Sequence, residues 1–135
     1  MKRMLLYAFT IAAIAIIAFA FAVFANDTNE KNVEFLSSYG WIVDKTPIER
    51  VSTTLPPIPD DVFNNYNKLQ KEAGLDLSEY LGKSCIRYTY LVLNYPKDVK
   101  ETVRANILTV GGVAVAGDIM TVSANGFMHS LNFPD

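Results

Sequence analysis

The stretch VRANILTVGGVAVAGDIMTVSANGFMHSL, residues 103–131, decides the architecture of this chain. Apolar side chains recur there at period two, and Gly111-Gly112 and Asn125-Gly126 interrupt the pattern. Period two is the signature of a strand, because successive side chains point to opposite faces of a sheet. Gly-Gly and Asn-Gly close two-residue hairpins, whose favoured turns need positive φ. Residues 103–110, 113–124 and 127–131 therefore read as strands joined by tight turns. Residues 85–95 repeat the alternation and end at a Pro-Lys-Asp loop, so the expectation is a C-terminal four-stranded antiparallel meander.

A two-residue loop also sets register. With Val110 facing Val113, counting outward puts Ala105 opposite Asp118, and the second turn puts Val122 opposite His129. On that register Ala105, Ala114 and Ala116 share one face, where small side chains let a helix approach. The other face carries Leu108, Val110, Val113, Val115 and Ile119 with Arg104 and Asn106. It is either a contact surface or is covered by the extended residues 41–43 and 48–55. Asp118 and His129 lie about 13 Å apart along the strands, too far for a hydrogen-bonded pair unless a bulge intervenes.

Upstream of the meander the period changes to that of a helix. Asn26-Asp27-Thr28-Asn29 offers N-caps for a helix with Val33, Phe35, Leu36 and Tyr39 on its apolar face, closed by Gly40. Leu55-Pro56-Pro57-Ile58-Pro59 is extended, since each proline fixes its own φ and constrains the residue before it. Asp60 then caps a second helix whose stripe of Val62, Phe63, Tyr66, Leu69 and Ala73 runs to Gly74. Both stripes are too apolar to stay wet, and both helices are expected on one face of the meander. The fold class is α+β.

In front of this domain, residues 5–25 contain a single polar side chain, Thr10, and follow Lys2 and Arg3. A run of about 20 apolar residues suffices to cross a bilayer, and the positive flank stays in the cytoplasm. Residues 1–25 are thus an N-terminal transmembrane anchor or signal peptide, and residues 26–135 an extracytoplasmic domain held at the cell membrane or secreted. The run is longer than the usual hydrophobic core of a signal peptide, which favours the uncleaved anchor.

The chain has 135 residues, enough for one domain. Its formal net charge is −2, and without Lys2 and Arg3 the remainder is more acidic still, which argues against nucleic acid as a partner. One cysteine excludes an internal disulfide, and one histidine excludes most zinc sites. No motif for a cofactor or metal is present, so none is expected.

The candidate binding residues are Tyr88 and Tyr90 on one face of a strand, Arg87 on the other, and Arg104 and Asn106 on the next strand. Asp118 and His129 complete the set. An unpartnered carboxylate in an apolar strand is costly, so Asp118 should have a partner, either Arg87 or a tyrosine hydroxyl. Burial of both tyrosines would remove them from any binding surface. Cys85 with His129 is the enzymatic alternative, since an imidazole can hold a thiolate ready for attack, but a cysteine entering an apolar strand is more often a packing residue.

The motifs Tyr39-Gly40-Trp41, Asn65-Tyr66-Asn67-Lys68-Leu69-Gln70, Tyr88-Thr89-Tyr90, Asn94-Tyr95-Pro96, Arg104-Ala105-Asn106, Gly117-Asp118-Ile119 and Gly126-Phe127-Met128-His129 occur in one order over residues 29–131. In them the chain resembles the bacterial family known as domain of unknown function 4830. The resemblance implies a Gram-positive type of cell, a membrane segment before the domain, and no established activity or cofactor. Family members with a cysteine just after the Gly-Asp pair differ from this chain, which has Met120 and Thr121 there, so no family thiol chemistry carries over.

The function these observations favour is a non-catalytic binding or interaction module of the cell envelope, anchored through residues 1–25 and contacting an unidentified protein or envelope component. The alternatives are a secreted thiol-type hydrolase using Cys85 and His129, and a structural accessory subunit of a membrane complex.

Overall fold

The expected break between anchor and domain is absent, and the two segments form one continuous helix, α1 (Lys2–Ser38). The structure, a computed structural model, describes residues 2–135, without the side chains of residues 21, 22 and 25. Asn26 to Asn29 do not cap α1, because the preceding apolar turns already supply carbonyl partners for their amides. At 1.5 Å per residue α1 is about 55 Å long. Its N-terminal part, Lys2–Ala20, is apolar and none of it is buried in the protein. Its C-terminal part buries Thr28, Asn32 and Leu36, spaced four apart on one face. Gly40, at φ +97°, ends it, with the Gly40 amide donating to Ser37 O and the Trp41 amide to Leu36 O.

The sheet is an antiparallel meander in chain order: β1 (Glu49–Thr54), β2 (Ser84–Leu91), β3 (Arg104–Val110), β4 (Val113–Met120) and β5 (Met128–His129). The α+β class and the meander are as expected, with one strand more. Residues 48–55, instead of folding over a sheet face, pair with β2 and extend the sheet at its edge. Trp41 to Val43 form no strand, and only a bridge between Val43 and Val92 remains. Between β1 and β2 lie α2 (Asp61–Glu72), capped by Asp60, whose Oδ1 accepts from the Phe63 amide at 2.7 Å, and a 3-10 turn (Ser78–Tyr80).

The helices take opposite faces, not the same one. Leu36 of α1 belongs to a core with Tyr88, Tyr90, Ala105, Ile107 and Ile119. Phe63 of α2 belongs to a second core with Leu77, Cys85, Leu108, Val115 and Ala116. The cause is a bulge. Val110 pairs with Val113 as the Gly111-Gly112 turn dictates, but the register shifts between Leu108 and Thr109, so that Leu108 pairs with Ala116. One extra residue on β4 reverses the facing of everything beyond it. Ile119 moves to the α1 face, Ala116 to the α2 face, and Asp118 comes opposite Asn106 instead of Ala105. Both faces are thereby apolar enough to need a helix, and Val115 is buried under α2 rather than exposed for a partner.

The second hairpin also differs. β4 stops at Met120, the Thr121 amide donates to Phe127 O, and His129 pairs with Ile119 rather than Val122. Asn125-Gly126 lies within a longer loop that Thr121 Oγ1 holds by accepting from the Phe127 amide.

Candidate functional site

On the α2 face, α2 covers only the half of the sheet around Cys85, Leu108 and Ala116. The other half is a polar groove of about 190 Å³ lined by Glu49, Arg87, Thr89, Arg104, Asn106, Met120 and Val122. The alternation of β2 and β3 places it there: Thr89 faces Asn106, Leu91 faces Arg104, and Arg87 stands one pleat further along.

A hydrogen-bonded row forms its floor. Thr89 Oγ1 donates to Asn106 Oδ1 at 2.7 Å, and Asn106 Nδ2 donates to Asp118 Oδ1 at 3.0 Å. From α2, the Tyr66 hydroxyl donates to Asp118 Oδ2 at 2.6 Å. Each donor meets an acceptor, and the chain ends on a group that only accepts. Asp118 is almost fully buried, and desolvation pushes its carboxyl above the usual aspartate range, against the lowering effect of Tyr66, Asn106 and Arg87. The same burial, together with the Asp118 charge, raises the Tyr66 hydroxyl well above its ordinary value.

The rim is cationic. Arg87 approaches Glu49 at 3.6 Å, with both side chains nearly half exposed, a pairing that contributes little. Arg104 has no acidic partner within 4.0 Å among the described residues. The Nε atoms of both arginines are buried without a hydrogen-bond acceptor. An unmatched donor of this kind costs free energy unless a ligand or water supplies the acceptor. Beyond Arg104 lies a hollow of about 400 Å³ lined also by Lys100 and Glu101. Two guanidinium groups over a hydrogen-bonding floor can hold a carboxylate or another planar anion.

Arg87, Arg104, Asn106 and Asp118 are thus brought together, and the remaining candidates are not. Tyr88 and Tyr90 are buried on the α1 face, which corrects the expectation of a tyrosine binding platform. The Tyr90 hydroxyl donates to Asn29 Oδ1 at 2.6 Å and accepts from Asn32 Nδ2 at 3.2 Å, and burial pushes it up to about 12. These bonds fasten α1 to the sheet.

His129 lies in an aromatic nest with Trp41, Tyr95 and Phe127. Its Nδ1 is 2.7 Å from Ser130 O, a carbonyl that can only accept, so Nδ1 carries the proton and Nε2 accepts from the Tyr95 hydroxyl at 3.0 Å. Cys85 is buried in the other core, and burial raises its thiol. It stands three strand spacings across and five residues along from His129, on the order of 20 Å. The thiol and imidazole cannot act together, which removes the geometric basis of a Cys85–His129 hydrolase.

Thr89, Glu49 and Tyr66 belong to the site but were not singled out from sequence. Thr89 could have been, since it shares the parity of Arg87 on a strand already recognised. Glu49 could not, because its strand was not assigned to the sheet. A larger hollow, about 540 Å³, lies on the opposite face between Phe24 and the hydroxyl-bearing Ser52, Thr54 and Ser84. It holds no charged side chain, so the chemistry concentrates in the smaller groove.

A family model described as Domain of unknown function (DUF4830) matches residues 35–119, more than half of the chain. The chain belongs to this family. The match runs from the last turn of α1 through β4, taking in every residue of the groove floor and both arginines, and ends before His129. No curated protein and no solved structure matches the chain.

Proposed function

We propose that this protein is a membrane-anchored, extracytoplasmic binding module without catalytic activity, and that it engages an anionic group of an envelope component in the groove between Arg87 and Arg104. Lys2 and Arg3 ahead of the apolar run favour this orientation. The observation that carries the binding site is the pair of buried, acceptor-free Nε atoms on a groove whose floor is fully hydrogen-bonded. Such a floor is held by its own hydrogen bonds, while the rim offers unmatched donors.

The full chain in detergent micelles would be titrated with carboxylate-bearing fragments of the cell envelope, followed by thermal shift and calorimetry. Ligands that bind should lose about tenfold or more in affinity in Arg104→Ala, as expected when a charged hydrogen bond is removed. Binding unchanged in both Arg104→Ala and Arg87→Ala would place the site elsewhere. Protease added to intact protoplasts should digest the domain, and complete protection would refute the orientation.

A further inference from the structure

The two edges of the sheet are treated differently. At the β4 edge, β5 pairs only with Ile119 and Met120, and the next amide that points away from β3, that of the buried Gly117, donates to the buried Gln70 Oε1 at 2.8 Å. A side chain from α2 has been inserted where another strand would otherwise add. At the other edge, all six residues of β1 are exposed and nothing among the described residues covers them. The Leu55 amide donates to Lys83 O at 3.0 Å, so by antiparallel alternation residues 49, 51 and 53 bond to β2. The backbone groups of Arg50, Ser52 and Thr54 therefore point outward. Arg50 does not guard them, since its guanidinium folds back over the Tyr88 ring, with Nε donating to the Tyr88 hydroxyl at 3.2 Å.

Hollows flank this edge on both faces. On the α1 face the 540 Å³ groove runs from Ser52 and Thr54 to Ile86 and Phe24. On the α2 face a hollow of about 300 Å³ lies between Thr54, Leu55, Phe63 and Leu77, with exposed Val62 on its wall. A strand added beside β1 would send successive side chains alternately to these two faces.

We propose that β1 is a strand-addition site for an extended peptide segment of another protein, one carrying apolar side chains on both faces beside Ser52 and Thr54. The added strand gains main-chain hydrogen bonds from Arg50, Ser52 and Thr54 and side-chain contacts in the two hollows. A second copy of this chain is disfavoured as occupant. Antiparallel β1-to-β1 pairing has its two-fold axis perpendicular to the sheet. α1 runs along the strands, from Phe24 beside Gly112 at one end to Asn32 beside Tyr90 towards the other. That axis would point the two anchors in opposite directions, which one bilayer cannot accommodate on the anchor reading above.

The test is a displayed library of random peptides, about twelve residues long to exceed the strand, panned against the full chain in detergent micelles. Enriched peptides should be strand-forming and apolar, and their binding should slow amide exchange at Arg50, Ser52 and Thr54 but leave that at Val51 and Thr53 unchanged. Ser52→Pro removes an outward donor without removing any bond to β2, a substitution edge strands tolerate. Affinity should fall at least about tenfold in that variant. The exchange pattern on the unaltered chain decides the matter even if Ser52→Pro folds poorly. Failure to enrich any peptide, or binding without protection of the outward amides, would overturn the proposal. So would concentration-dependent dimerisation that Ser52→Pro abolishes, which would make a second copy the occupant. Peptides that bind equally to Arg104→Ala keep this site separate from the arginine groove.

Discussion

Asp118 shows how much one side chain depends on its immediate partners. Its carboxylate is buried, and the Tyr66 hydroxyl at 2.6 Å is one of two short donors that keep it there. Tyr66→Phe should cost about 1.5–3 kcal/mol in urea unfolding of the full chain in micelles, the usual range for a hydrogen bond to a charged group. The loss should depend on pH. The folded pKa of Asp118 is already raised above the unfolded value, so this carboxyl favours the folded state most below about pH 4. That advantage is lost as pH rises through the folded value. Without the Tyr66 hydroxyl the folded value moves higher still, so the deficit of Tyr66→Phe should be larger at pH 7 than at pH 4. A deficit independent of pH would mean that Tyr66 acts through packing alone. Gly117, the neighbour of Asp118, is constrained differently, since a Cβ there would lie 2.5 Å from Asn106 O. Gly117→Ala should force β3 and β4 apart and lower stability by about 1–3 kcal/mol, measured in the same unfolding experiment.

Among the elements, α2 does more than cover a core. Gln70 reaches past the α2 face to close the β4 edge, and the Tyr39 hydroxyl donates to Ala73 O at 2.7 Å, tying the end of α2 to the end of α1. Gln70→Leu keeps the volume but leaves the Gly117 amide unmatched, and should cost about 1–3 kcal/mol. It should also promote association through the reopened edge, visible as concentration-dependent sedimentation. A variant that loses stability yet remains monomeric at high concentration would show that β5 alone protects that edge.

At the scale of the whole molecule, the continuity of α1 has the largest consequence. A helix without a break from Lys2 to Ser38, fastened by Asn29 and Asn32 to Tyr90, couples the apolar N-terminal segment to the sheet. Phe24 lies against Gly112, so the β3–β4 turn and the exposed Val113 sit at the end of the domain nearest the apolar segment, which the proposed anchoring puts at the membrane. The loop carrying Asp98 is at the far end. A fluorophore attached to cysteine at position 113, in a Cys85→Ser background, should be quenched by nitroxide lipids in nanodiscs. The same label at position 98 should not. Equal quenching at both positions would mean that the helix bends between anchor and domain.

What the sequence determined by itself was local. Period-two alternation, glycine turns and the apolar run each depend on neighbours within a few residues, and they specified the meander, the helices and the membrane-compatible segment. The pairing of Val110 with Val113 followed from the turn alone. What the tertiary structure decided was relational: which face each helix covers, where β1 attaches, and which polar groups share a groove. One bulged residue beside Leu108 accounts for most of this, because a single insertion inverts the facing of every later residue of β4. It brought Asp118 to Asn106 and Tyr66. The alternation of β4 reads equally well with or without the extra residue. Only the packing of two helices on two faces selects the bulged register, through the burial of Ile119 under α1 and of Ala116 under α2.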